Sequence, residues 1–171
     1  MSEKTAGETV VFGQKLASSH LFSTLFREGM GLVEETAAYL DGTGRQDAKK
    51  LDRSTALTYA TESMRLTTRL MQLASWLLLH RAVNEGEMSL AQASKEKKKV
   101  KLSSGDTLDP ATLKVLPETL QDLIARSRVL QDKVRRLDTT IHAPVPEPAP
   151  GGSPLDRHLG LLKAAFERTD A

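Results

Sequence analysis

Apolar residues recur at spacings of three and four along three separate stretches of the chain, and no stretch of useful length alternates with the period of a strand. The first stretch opens after Ser18 and Ser19 and places Phe22, Phe26, Gly29, Val33, Ala37 and Leu40 on one helical face. Asp41-Gly42-Thr43-Gly44 supplies the residues that stop it. Gly29 and Gly31 inside this helix each cost about 1 kcal/mol relative to alanine. Close approach of a neighbouring helix offsets such a cost. Residues 1–17 show no sustained period and read as a mobile leader.

The second stretch carries two patterns at once. It starts near Asp52 or Ser54, either of which can cap, and runs to Asn84-Glu85-Gly86, on the order of 50 Å of helix. Leu57, Ala60, Met64, Thr67, Met71, Ala74 and Leu78 form one repeat. Tyr59, Leu66, Leu70, Leu73 and Leu77 form another, roughly opposite at about 100° per residue. A helix with two apolar faces must be covered on both.

Ser89 and Gln92 have the spacing of a capping box, which predicts a short helical extension within an otherwise flexible 87–116 loop. A third helix is expected from Pro117, with Leu116, Leu120, Leu123, Leu130, Val134, Leu137 and Ile141 on one face and Ser127 in its one polar slot. Five of the seven prolines fall within 143–154, a stiff linker ending in Gly-Gly-Ser. Beyond it, 155–171 reads as a short amphipathic tail helix. The fold class is therefore all-α: an antiparallel three-helix bundle over 18–142, with a leader, a loop, and a Pro-rich linker carrying the tail helix.

Composition removes several chemistries. The 171 residues contain no cysteine, which excludes disulfides, thiolate catalysis and Cys-ligated zinc. Lys and Arg total 24 against 22 Asp and Glu, and a net charge of +2 gives no overall field for phosphate capture. Aromatics make up 4%, too few for a base-stacking platform. The first residues lack the pattern of a secretory signal, and the apolar run between Arg69 and Arg81 is too short to span a bilayer; a cytoplasmic chain with no membrane insertion is expected. Neither G-x-S-x-G nor a Walker A motif occurs, and none of the four histidines pairs with another at helical spacing. No catalytic, cofactor-binding or metal-binding residue is assigned, and the chain reads as a non-enzyme.

What remains is surface. The Leu-rich stripe of the second helix suits an internal core, and Met64, Met71, Ala74 and Leu78 suit the more adaptable interface of a homodimer; the loop or the tail could instead cover that stripe. Trp76, His80, Arg81 and Glu85 form a cluster that is either a partner-recognition patch or a C-terminal turn with Arg81 and Glu85 paired locally. Lys95, Lys97, Lys98, Lys99 and Lys101 make a basic loop, read as solvated or as a contact for phosphate or an acidic partner. Leu155, Leu159, Leu162 and Phe166 line one edge of the tail helix, which either reaches a partner's groove as a tether or docks on the bundle.

The run LASWLLLHRAVNEGEMSLAQA at 73–93, with the helical pattern around it, resembles the alphaproteobacterial family of the regulator of CtrA degradation, over roughly 18–140 and a tail of the same type. The resemblance implies a dimeric, non-enzymatic adaptor that delivers cell-cycle regulators to the ClpXP protease. Its implied partners are ClpXP primed by a response regulator, a cyclic-di-GMP-binding effector protein, and cargo transcription regulators such as CtrA. It also implies concentration at the cell pole, and the near-neutral charge adds the expectation of no direct contact with nucleic acid. The competing class is a nucleic-acid-associated dimeric regulatory protein using the 95–101 lysines.

Overall fold

The computed structural model describes the backbone of residues 6–100, 109–142 and 158–159, and side-chain surroundings from residue 19 onward within those ranges. Among the described residues there are six helices and no strand: α1 (Ala6–Asp41), α2 (Thr43–Lys49), α3 (Arg53–Asn84), α4 (Leu90–Lys97), α5 (Pro110–Lys114) and α6 (Glu118–Ile141). The all-α class holds. The chain divides into two compact units, Met1–Leu137 and Asp138–Ala171.

The leader expected over 1–17 is helical from Ala6, so α1 is about twelve residues longer than its periodicity suggested. Gly7, Gly13 and the β-branched Thr9, Val10 and Val11 hide that extension, because they lower helix propensity and break the apolar spacing. The buried face of α1 is also turned by about one residue from the expected one. Phe22, Leu25, Gly29, Leu32, Thr36 and Tyr39 are buried, whereas Ala37 is exposed and Val33 and Leu40 are half-buried. Gly29 sets the rotation. A Cβ there would collide with Leu77 Cδ1 of α3 and lie 3.6 Å from Leu130 Cδ2 of α6, so α1 reaches its neighbours where its own side chain is missing. At Gly31 a Cβ would meet nothing, and nothing in the structure explains that glycine.

After Gly42, α2 turns the chain under α1. Gly44 is held against Tyr39 and Tyr59: a Cβ would sit 2.6 Å from the Tyr39 carbonyl oxygen and 2.7 Å from the Tyr59 hydroxyl. Helix α3 then runs as expected and ends in a Schellman turn. Gly86 (φ 77°) is the one positive-φ residue among those described; its N–H donates to Val83 and that of Glu87 to Ala82.

The segment expected as a flexible loop carries two helices. The capping box at the start of α4 is formed, with Ser89 N–H donating to Gln92 Oε1 (3.0 Å) and Gln92 N–H to Ser89 Oγ (3.2 Å). Asp109 caps α5, accepting from Ala111 N–H, with Pro110 at the first helical position. Pro117 sits one residue before α6, its carbonyl accepting from Gln121 N–H.

The core comes from α1, α3 and α6. Leu66, Leu73, Trp76 and Leu77 of α3 and Leu120, Leu123, Ile124, Leu130 and Val134 of α6 are almost wholly buried. Ser127, in the polar slot expected of it, is buried too. Its hydroxyl donates to the Ile124 carbonyl (2.7 Å) and accepts from Arg69 Nη1 (2.9 Å), tying α3 to α6. At the rim Arg126 forks onto Glu35 of α1, and Lys133 meets Glu28. Hydrogen bonds from Arg126 hold the Glu35 carboxyl below the usual carboxylate range.

Candidate interaction surface

Among the described residues of the first unit, only one of the two stripes of α3 is used. Tyr59, Leu66, Leu70, Leu73 and Leu77 are buried, as the Leu-rich pattern required. On the other side Leu57, Met64, Met71 and Leu78 are 70%, 72%, 66% and 53% exposed. Such values along one helix mean that no described segment covers this stripe. Ala60, Thr61, Thr67 and Thr68 between them are exposed, and Ala74 and Ser75 half-buried.

Three hydroxyls on this face are bonded back onto their own helix. Thr61 Oγ1 donates to the Leu57 carbonyl (3.0 Å), Thr67 Oγ1 to Ser63 (2.8 Å) and Ser75 Oγ to Met71 (2.8 Å). Hydroxyls bonded back onto their own helix can be buried by a partner without being orphaned.

At its C-terminal end the stripe opens into a groove of about 370 Å³ between α3 and α4. Ser75, Leu78, Leu79 and Ala82 form one wall, Met88 and Val100 the other, and the Glu96–Lys99 ion pair (2.9 Å) closes the rim. The sequence reading assigned none of Leu57, Leu79, Ala82, Met88 and Val100 to a site. A large residue at every seventh position of α3 with small residues between was the available signal for Leu57. The far wall was invisible because it depends on where α4 folds back.

The cluster at the end of α3 separates into buried and exposed halves. Trp76 is 1% and His80 3% exposed, so neither side chain meets a partner in this conformation, which corrects their place among the partner-binding candidates. The two rings stack at 4.0 Å, with His80 Nδ1 3.1 Å from the Trp76 carbonyl oxygen, and Trp76 also packs on Phe22. They are core. Arg81 and Glu85 remain outside and bind each other (2.9 Å), the local pairing expected of a C-terminal turn, with the guanidinium 5.0 Å from the centre of the Phe26 ring.

The basic segment is not a free loop. Lys95 and Lys97 lie in the last turn of α4, where cations meet the negative end of the helix, Lys98 caps it and Lys99 is bound to Glu96. Lys101 lies outside the described residues. So do Leu155, Leu162 and Phe166 of the tail and the linker at 143–154; Leu159 is 55% exposed.

Among the described residues these elements define an all-helical protein whose α3 leaves an apolar stripe uncovered. No described helix is long and apolar enough to cross a membrane. Residues 13–166 match a family described as a protein family of unknown function, DUF1465. The chain is also similar to RcdA from Caulobacter crescentus, whose crystal structure it matches at 51% identity and a TM-score of 0.61, over 73% of this chain and 93% of that one. The chain belongs to this family, the RcdA family. No curated protein matches it.

Proposed function

We propose that this chain is a non-enzymatic adaptor for regulated proteolysis. It delivers cell-cycle regulators such as CtrA to a ClpXP protease primed by a response regulator, and a cyclic-di-GMP-binding effector joins the same assembly. The observation that carries the reading is the 51% identity to RcdA over most of both chains. The surface supports it: Leu57, Met64, Met71 and Leu78 expose a row of large apolar side chains along one face of α3, the usual mark of a protein-binding face. In this account the chain is a homodimer through the stripe of Met64, Met71, Ala74 and Leu78, and Arg81, Glu85 and the tail edge of Leu155, Leu159, Leu162 and Phe166 are contacts for further partners. It works in the cytoplasm, concentrated at the cell pole.

The nucleic-acid reading finds less support, since the lysines of α4 are partly committed to helix-end and ion-pair roles. A two-arm experiment separates the readings. Purified ClpXP with its priming regulator is given CtrA with and without the full chain, and the chain is titrated onto random duplex DNA at physiological salt. Faster loss of CtrA with no DNA binding is expected. Unchanged CtrA turnover, or salt-dependent DNA binding without delivery, would overturn the adaptor reading.

A further inference from the structure

The groove between α3 and α4 differs in chemistry from the stripe it adjoins. Leu79 and Ala82 of α3, Met88 of the turn and Val100 beyond α4 give it apolar walls. Its one hydroxyl, Ser75 Oγ, already donates to the Met71 carbonyl (2.8 Å), so an occupant leaves no donor orphaned. The charged groups that line it are Glu96 and Lys99, both at the rim. Its volume of about 370 Å³ lies within the usual range of binding pockets, about 300–1,000 Å³. The eight residues of α4 limit its length to about 12 Å, one or two turns of a helix. We propose that this groove binds a short acidic amphipathic segment of another protein, with one or two leucine-sized side chains inserted between α3 and α4 and flanking carboxylates on the lysines of α4.

The sign of the partner's charge follows from the rim. Residues 95–99 hold four lysines and one glutamate, and Lys95, Lys98 and Lys99 are exposed. Lys99 Nζ donates to both carboxylate oxygens of Glu96, at 2.9 and 3.0 Å. These side chains are 69% and 44% exposed, and an ion pair so open to water contributes little to stability. A partner's carboxylate therefore takes Lys99 from Glu96 at small cost, and Glu96 turns to solvent. Of the acids before α4, Glu85 is held by Arg81 (2.9 Å) and Glu87 does not line the groove. A basic segment would meet lysines at the rim, and an uncharged one would gain nothing from them. The groove is also preformed. Ala93 is fully buried, the capping box fixes the start of α4, and Gly86 (φ 77°) sets the turn from α3, so little ordering is needed on binding. The proposal does not depend on the adaptor reading, and the groove lies at the end of the stripe, away from Met64.

The test is a fluorescence-polarisation titration of the full chain onto the labelled peptide Glu-Glu-Leu-Leu-Asp-Glu-Leu-Leu-Asp-Glu. Two further peptides serve as controls, one with lysine at every acidic position and one with serine at every leucine. Saturable binding of the first is expected, weakening as salt rises, with each control at least about tenfold weaker. Reversing two exposed charges together, Lys98→Glu with Lys99→Glu, should weaken the first peptide about tenfold. Ala82→Phe, which fills the groove, should abolish binding, and Met64→Glu on the stripe should leave it unchanged. Circular dichroism checks that each variant keeps the parent's helicity; should Ala82→Phe lose it, the surface lysine pair decides alone. No saturable binding up to about 1 mM would overturn the proposal. Equal binding of the lysine peptide would remove the acidic partner, and equal binding of the serine peptide would reduce the contact to surface charge. Loss of binding in Met64→Glu, with the lysine and Ala82 variants unaffected, would place the peptide on the stripe instead. None of these readouts involves a protease, so failure here leaves the adaptor reading intact, and failed delivery of CtrA leaves the groove intact.

Discussion

Gly29 and Gly31 are two residues apart on α1 and have opposite reasons to be tested. Both carry the same backbone cost of about 1 kcal/mol in a helix. Alanine at 31 meets nothing and should recover that cost, raising the melting temperature by about 2–4 °C for a chain of this size. Alanine at 29 would push into Leu77, which is fully buried and has nowhere to go; overpacking costs about 1–3 kcal/mol and outweighs the propensity gain. Melts of the two variants check the contrast, and a stabilised Gly29→Ala would contradict the close approach. The sequence exposed both glycines as anomalies, but only tertiary contact distinguishes them.

Tyr39 and Tyr59 give a second test at this scale. They are the only tyrosines in the chain, and both sit at the α1–α2–α3 corner. Burial, followed by the hydrogen bond that Tyr39 donates to Asp47 (3.1 Å), raises the Tyr39 hydroxyl above its ordinary value of 10.0; burial raises Tyr59 as well. In the unfolded chain both ionise near 10, so the folded state binds more protons above that pH. The contribution to stability is therefore complete below pH 10 and is lost as pH rises above it. Tyrosinate absorbance should stay low through pH 10 in the folded chain and appear with unfolding. Two tyrosines titrating near 10 in a fully helical chain would refute this corner.

At the scale of elements, α3 was the most legible part of the chain. Its ends, its two stripes and the division between a Leu-rich core and a Met-bearing outer face were all readable from spacing, because long periodic helices leave little ambiguity. The capping box of α4 was legible for the same kind of reason: two side chains at fixed spacing satisfy two backbone donors. Helices α2 and α5 were not. They are held by contacts such as Gly44 against Tyr59 and by the Asp109 cap, and have too few turns to show a period. The core assignment has a direct test. Leu73→Asp or Leu77→Asp would bury an unpaired carboxylate at a site 0–1% exposed, costing several kcal/mol, comparable with the whole stability of a domain. Lys98→Ala, on the exposed cap of α4, should stay within about 0.5 kcal/mol. Circular-dichroism melts of the three variants decide it, and a cooperative native melt in either Asp variant would show the core stripe misplaced.

At the scale of the whole molecule, the candidate surface was half legible. The apolar character of the Met64–Leu78 stripe could be read from the chain, whereas the groove and the burial of Trp76 and His80 could not. Trp76 looks like an exposed anchor in sequence because it sits beside the polar cluster at the end of α3; Phe22 and the His80 ring enclose it instead. The central claim is that the chain acts as a bridge, raising the local concentration of cargo at the protease rather than altering the protease itself. Bridging has a kinetic signature, since excess adaptor divides cargo and protease between separate copies. The decisive measurement is the initial rate of CtrA degradation by primed ClpXP as this chain is titrated from well below to well above the concentrations of both partners. The account predicts a rate that rises, passes through a maximum and falls at high adaptor concentration; a rate that climbs to a plateau, or never responds, would contradict it.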